Sequence, residues 1–128
     1  MKKIVVVDDD PGMLEFLAYA LKGSFDVQTA SDGAAGLEVI KSHRPDLVIL
    51  DVLMPVMDGY SCLREINAQV GRGKLPIIVL TGRDRMKDLF ELEGIEDYVI
   101  KPFDHEDLLV RIDRALKRYA DNRVPGAP

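Results

Sequence analysis

Five short apolar runs recur along this chain, each followed by a stretch with helical spacing, and that alternation restricts the fold more than any other feature. Residues 4–7 (Ile-Val-Val-Val) form a continuous β-branched run, the pattern of a strand buried on both faces. Pro11 then opens a helix behind Asp10 as N-cap, and Leu14, Leu17, Ala18 and Leu21 share one face, with Gly23 closing it. Residues 25–30 read as a second, less apolar strand nearer an edge, followed by a helix capped by Asp32 and carrying Leu37 and Ile40 inward. Residues 47–50 form a third strand, and the helix opened by Asp58-Gly59 places Leu63, Ile66 and Val70 on one stripe. Residues 75–80 form a fourth strand, with Pro76 at its beginning. Residues 83–93 are expected to be a helix closed by Gly94, and residues 98–100 a fifth strand. Asp104 caps a final helix with Leu108, Leu109, Ile112, Ala115, Leu116 and Tyr119 inward. Five such units imply an α/β fold, a doubly wound parallel sheet with helices on both faces and right-handed crossovers.

At 128 residues the chain suits one core, read as a domain over residues 1–120 and a tail or linker over residues 121–128. The net charge of −5 argues against a nucleic-acid-binding face, so no direct nucleic-acid partner is expected. The single cysteine, Cys62, excludes an intrachain disulfide and fits a reducing compartment. No apolar run approaches a membrane span, and Asp8, Asp9 and Asp10 interrupt the only stretch resembling a signal peptide. The expectation is a cytoplasmic protein that does not engage a membrane.

In open α/β sheets, ligands bind at the carboxyl ends of the strands. The residues just beyond those ends are Asp8, Asp9 and Asp10, then Asp51, then Thr81 with Gly82, then Lys101-Pro102. Carboxylates meeting at one edge repel, and a hard divalent cation such as Mg²⁺ relieves that repulsion. A carboxylate can also attack a phosphoryl group, provided that the developing charge is neutralised, a role open to Mg²⁺, the Lys101 ammonium and the Thr81 hydroxyl. His43 and His105 sit among polar neighbours and read as solvated, and Cys62 has no adjacent base.

Four segments carry a resemblance. They are Ile4-Val5-Val6-Val7-Asp8-Asp9-Asp10-Pro11; Pro45-Asp46-Leu47-Val48-Ile49-Leu50-Asp51 running on through Met54-Pro55-Val56-Met57-Asp58-Gly59; Leu80-Thr81-Gly82; and Tyr98-Val99-Ile100-Lys101-Pro102-Phe103. In this order, each ending an expected strand, they make residues 2–119 resemble the receiver domain of bacterial two-component response regulators. The resemblance implies a flavodoxin-like (βα)5 sheet of order 2-1-3-4-5. It implies that Asp51 accepts phosphate from a phosphohistidine of a sensor histidine kinase or histidine phosphotransfer protein. Asp8, Asp9, Asp51 and the backbone carbonyl of Leu53 would hold Mg²⁺. Thr81 and Lys101 would contact the phosphoryl oxygens, with a cis Lys101-Pro102 bond. Thr81 and Tyr98 would form the switch to the opposite face, where the fourth helix, fifth strand and last helix would meet a second copy or a downstream protein. Such a chain catalyses only its own phosphorylation and dephosphorylation.

Two departures from the family pattern stand out. The stretch between Thr81 and Lys101 is slightly short, which predicts a shortened or reoriented fourth helix. Leu53 stands two residues past Asp51, where a polar side chain could orient an attacking water and leucine cannot, so slow self-dephosphorylation is expected, and Arg83 stands two past Thr81. A dehalogenase-type phosphatase would need a second aspartate where Leu53 stands, and a flavodoxin phosphate loop would not be triply acidic. The remaining alternative is a pseudo-receiver that acts as a phosphorylation-independent interaction module.

Overall fold

The computed structural model describes residues 1–52, 58–82 and 87–122. Its elements are β1 (Lys3–Val7), α1 (Pro11–Leu21), β2 (Asp26–Ala30), α2 (Gly33–His43), β3 (Leu47–Leu50), α3 (Gly59–Val70), β4 (Ile77–Thr81), α4 (Lys87–Leu92), β5 (Asp97–Ile100) and α5 (His105–Asn122). All paired strands are parallel, in the order β2-β1-β3-β4-β5.

Strand composition follows position in the sheet. The inner strands β3 and β4 are buried throughout, and β1 is buried from Ile4 onward, while the edge strand β2 buries only Ala30. Alternate residues of a strand point to opposite faces, so each inner strand feeds two cores. Val5, Val7, Val48, Leu50, Ile77 and Val79 meet Leu37, Ile40, Leu63, Ile66 and Phe90 of α2, α3 and α4. Ile4, Val6, Leu47, Ile49, Ile78 and Leu80 meet Leu17, Leu21, Leu108 and Ile112 of α1 and α5. This two-sided demand for apolar side chains is why the inner strands read as continuous runs rather than alternating ones.

Four aspartates start helices as the sequence suggests. Asp10 accepts from the Gly12 amide at 3.0 Å, Asp32 from Ala35 at 2.8 Å and Asp58 from Ser61 at 2.8 Å. Asp104 accepts from the Glu106 amide at 3.0 Å.

Several boundaries shift. β2 begins at Asp26, leaving Phe25 before the strand but packed against the α1/α5 core. β4 begins at Ile77 and includes Thr81, so Pro76 precedes it and contributes only its carbonyl, which accepts from the Val48 amide. α1 ends at Leu21 with Lys22, not Gly23, at the C-cap, because the Lys22 amide still reaches the Ala18 carbonyl in right-handed geometry. β5 begins one residue earlier than expected, at Asp97. The described α4 covers six residues, and residues 83–86 of its expected span lie outside the described part. Gly94 follows at φ +82, a left-handed conformation suited to glycine. Among the described residues, no helix is long and apolar enough to cross a membrane.

Candidate functional site

The carboxyl ends of β1, β3, β4 and β5 converge as the strand order requires. Asp8 follows Val7 and is almost fully buried at 2% exposure, Asp51 follows Leu50 at 7%, and Thr81 ends β4 at 1%. Asp9 is exposed. One oxygen from each of Asp8, Asp9 and Asp51 lies within 4.8 Å of the others. Three hard oxygen donors so close together fit a hard divalent cation that keeps part of its water shell.

Lys101 reaches into this cluster from the far end of β5. Its Nζ donates to Asp8 Oδ2 at 2.9 Å and stands 3.8 Å from Asp51 Oδ1. The Lys101-Pro102 peptide bond is cis. Two carboxylate oxygens of the cluster are oriented by backbone amides. Val52 N–H donates to Asp51 Oδ1 at 2.9 Å, and Asp10 N–H donates to Asp8 Oδ1 at 3.0 Å.

Desolvation by burial, followed by the neighbouring Asp8 charge, pushes the Asp51 carboxyl up from its ordinary 3.8 to about 6. Lys101 and the Val52 amide act in the opposite direction and offset only part of that rise. A carboxylate kept short of neutralisation in this way is suited to receiving either a cation or an electrophilic group.

The α3 N-terminus braces Asp51 from behind. Gly59 N–H donates to the Val52 carbonyl at 2.7 Å, and a Cβ on Gly59 would come within 2.2 Å of the Asp51 carbonyl oxygen. No real Cβ tolerates that approach to backbone, so the Asp-Gly pair that opens α3 also fixes how closely this helix can sit behind Asp51. Gly59→Ala is expected to destabilise the fold by about 1–3 kcal/mol, which chemical denaturation checks.

Tyr98 is buried and its ring packs against Phe90 at 6.0 Å, while Phe90 meets Tyr60 edge-on at 5.5 Å. Tyr60 Oη donates to Glu93 Oε1 at 3.0 Å, Asn67 Nδ2 donates to the Glu93 carbonyl at 2.8 Å, and Arg72 donates to the Leu92 carbonyl. The turn after α4 is therefore fastened to α3, a connection that sequence reasoning missed because it joins polar residues with no common motif.

His105 departs from its solvated reading. Its ring lies edge-on to Phe16 at 6.0 Å, and its Nε2 is buried without a hydrogen-bond partner among the described residues. Its ring neighbour Phe16 belongs to α1, a contact that is invisible along the chain. Cys62 is inert: burial first, then the Asp58 charge, pushes its thiol up to about 12. Leu53 and Arg83 lie outside the described residues.

A five-stranded parallel sheet of this order carries a buried aspartate, flanked by two more and a lysine, at its carboxyl edge. The family model for the response regulator receiver domain matches residues 4–113. The chain belongs to the response regulator receiver domain family. It is 39% identical over 123 residues to the DNA-binding response regulator MtrA of Mycolicibacterium smegmatis, covering 94% of this chain and 53% of MtrA. The chain thus spans about half the length of this curated relative. A CheY-like receiver domain protein from Methanospirillum hungatei superposes with a TM-score of 0.88 at 27% identity, covering 95% of this chain and 98% of that one. The receiver domain of the sensor histidine kinase PA1611 from Pseudomonas aeruginosa, solved with a magnesium ion coordinated in its active-site cleft, superposes at 0.82 with 29% identity, covering 91% and 98%.

One expectation is corrected by these relatives. A net charge of −5 suggested no nucleic-acid partner, yet MtrA is by name a DNA-binding protein. Net charge reports on the domain that carries it. A receiver covering half of a relative's length has no need of a basic face when that relative binds DNA.

Proposed function

We propose that this receiver takes a phosphoryl group onto Asp51 from a phosphohistidine of a sensor histidine kinase or histidine phosphotransfer protein. The observation that carries this reading is the position of Asp51, buried and 3.8 Å from Lys101 Nζ, within a cluster of three carboxylates. A carboxylate oxygen of Asp51 forms the new bond to phosphorus as the bond from phosphorus to the histidine nitrogen breaks, and the imidazole leaves carrying the electron pair. Asp8, Asp9 and Asp51 are the residues that would hold Mg²⁺, with the Leu53 carbonyl as the further ligand implied by the family. When bound, Mg²⁺ supplies charge neutralisation for the phosphoryl oxygens. Lys101 would exchange its contact with Asp8 for one with a phosphoryl oxygen, and Thr81 would offer its hydroxyl to another. Thr81 and Tyr98 would then relay the state toward the face near α5. Apart from this self-modification, no catalytic role is assigned.

The receiver is read as spanning residues 1–120, with 121–128 as tail or linker whose first two residues continue α5, in a cytoplasmic protein. Its output is proposed to run through a DNA-binding domain, supported by the name of MtrA. Beryllofluoride with Mg²⁺ tests the phosphoacceptor reading: chemical-shift changes at Asp51, Thr81 and Tyr98 are expected. No change with both reagents present would instead favour an interaction module that works without phosphorylation.

Leucine at position 53 has no polar group to orient an attacking water. Leu53→Asn is therefore expected to shorten the life of the phosphorylated form by about tenfold, less than the ~10²–10⁴-fold of a full general base because an amide orients water without taking its proton. The decay of phosphorylated protein in both variants measures it, and equal decay would contradict the assignment.

A further inference from the structure

The opposite end of the sheet carries a second concavity. A cavity of about 450 Å³ opens between the C-terminal ends of α2 and α3, beside the segments that lead into β3 and β4. Its size falls in the range of small-molecule sites, about 300–1,000 Å³. Ile40, Pro45, Val70 and Leu75 give it an aliphatic lining with no aromatic ring, and Lys41, Arg44 and Lys74 supply the charge. Lys41 is already engaged, 3.4 Å from Glu38. Among the described residues, Arg44 and Lys74 make no ion pair. Asp46, the nearest carboxylate in sequence to Arg44, accepts from the Lys3 amide at 2.8 Å and is absent from the lining.

Cations beside helix C-termini are favourable in themselves, because they face the negative ends of the helix dipoles. That explains positive charge near α2 and α3. It does not explain an aliphatic cavity between them.

We propose that this cavity binds a free medium-chain aliphatic carboxylate, its tail against Ile40, Val70 and Leu75 and its head group between Arg44 and Lys74. Charge complementarity selects the anion, the aliphatic lining selects the tail, and the volume limits its length. The site lies across the sheet from Asp51, so an occupant leaves the phosphoacceptor open.

Titrating the protein with decanoate, decanol and decyltrimethylammonium while following backbone amide shifts tests the proposal. Decanoate is expected to shift Ile40, Val70 and Leu75 in a saturable way. Decanol should bind at least about tenfold more weakly and the cation not at all, since each loses the charge-assisted contacts. Lys74→Glu is expected to weaken decanoate binding at least about tenfold, while phosphoryl uptake from acetyl phosphate stays at the level of the unsubstituted protein and shows that the variant is folded. Equal affinity for decanoate and decanol, undiminished binding to Lys74→Glu, or no saturable shift with decanoate would overturn it, leaving the cations as complements to the helix ends.

Discussion

Asp51→Asn is expected to make the metal-free protein more stable at neutral pH, by about 2–3 kcal/mol, while removing its capacity to accept phosphate. The sign follows from the raised carboxyl. In the folded state Asp51 titrates near 6, against an ordinary value of 3.8. Below both values the group is protonated in folded and unfolded chains alike and contributes no penalty. As pH rises from about 4 to about 6, the unfolded chain releases this proton first and stability falls. Above that window the full penalty applies, because a carboxylate is held buried beside Asp8. Asparagine has no proton to lose, so the variant's advantage should appear between pH 4 and 6 and remain constant above. Urea denaturation across this range in the presence of a chelator measures it. Saturating Mg²⁺ should erase most of the difference, since the cation binds the folded unsubstituted protein more tightly than the variant. An advantage independent of both pH and Mg²⁺ would show that the carboxylate cluster is not the source.

Lys101→Met is expected to slow phosphoryl uptake by about 10²–10³-fold, the usual cost of losing one preorganised donor to a developing oxyanion. The same substitution strips Asp8 of the ammonium at 2.9 Å. Asp8 is almost wholly buried. Removing one partner of such a pair leaves an uncompensated charge, which costs about 3–5 kcal/mol when both groups are fully buried. Lys101 keeps 21% of its side chain exposed, so solvent reduces that figure, and about 1–3 kcal/mol is expected. Methionine retains the length of the aliphatic stem, which separates loss of charge from loss of packing. Rates from rapid-quench phosphorylation and stabilities from denaturation, measured on one preparation, distinguish the two effects. A variant that phosphorylates normally would exclude Lys101 from the chemistry.

Much of the fold could be read from the chain because the inner strands obey one rule. A strand between two helical layers must be apolar on both faces, and residues 47–50 meet that rule without exception. The four aspartate caps were legible for an equally local reason, since a cap bonds an amide two or three residues ahead. The carboxylates and lysine of the site were legible because strand ends deliver them. Features that depend on contacts between distant segments were not. His105 meets Phe16 across a long sequence separation, and the fastening of Glu93 comes from Tyr60 and Asn67. The DNA binding named for MtrA is not legible in this chain, because the charge of an acidic receiver says nothing of the other half of a relative's length.

The central claim is that Asp51 is the phosphoacceptor of this receiver. Intact-mass analysis after incubation with acetyl phosphate and Mg²⁺, with the modified residue located by peptide mapping, tests it most directly. A single phosphoryl group on Asp51, lost with a chelator and lost again in Asp51→Asn, is the predicted result. An unmodified protein under those conditions, or a phosphoryl group on any other residue, would contradict it.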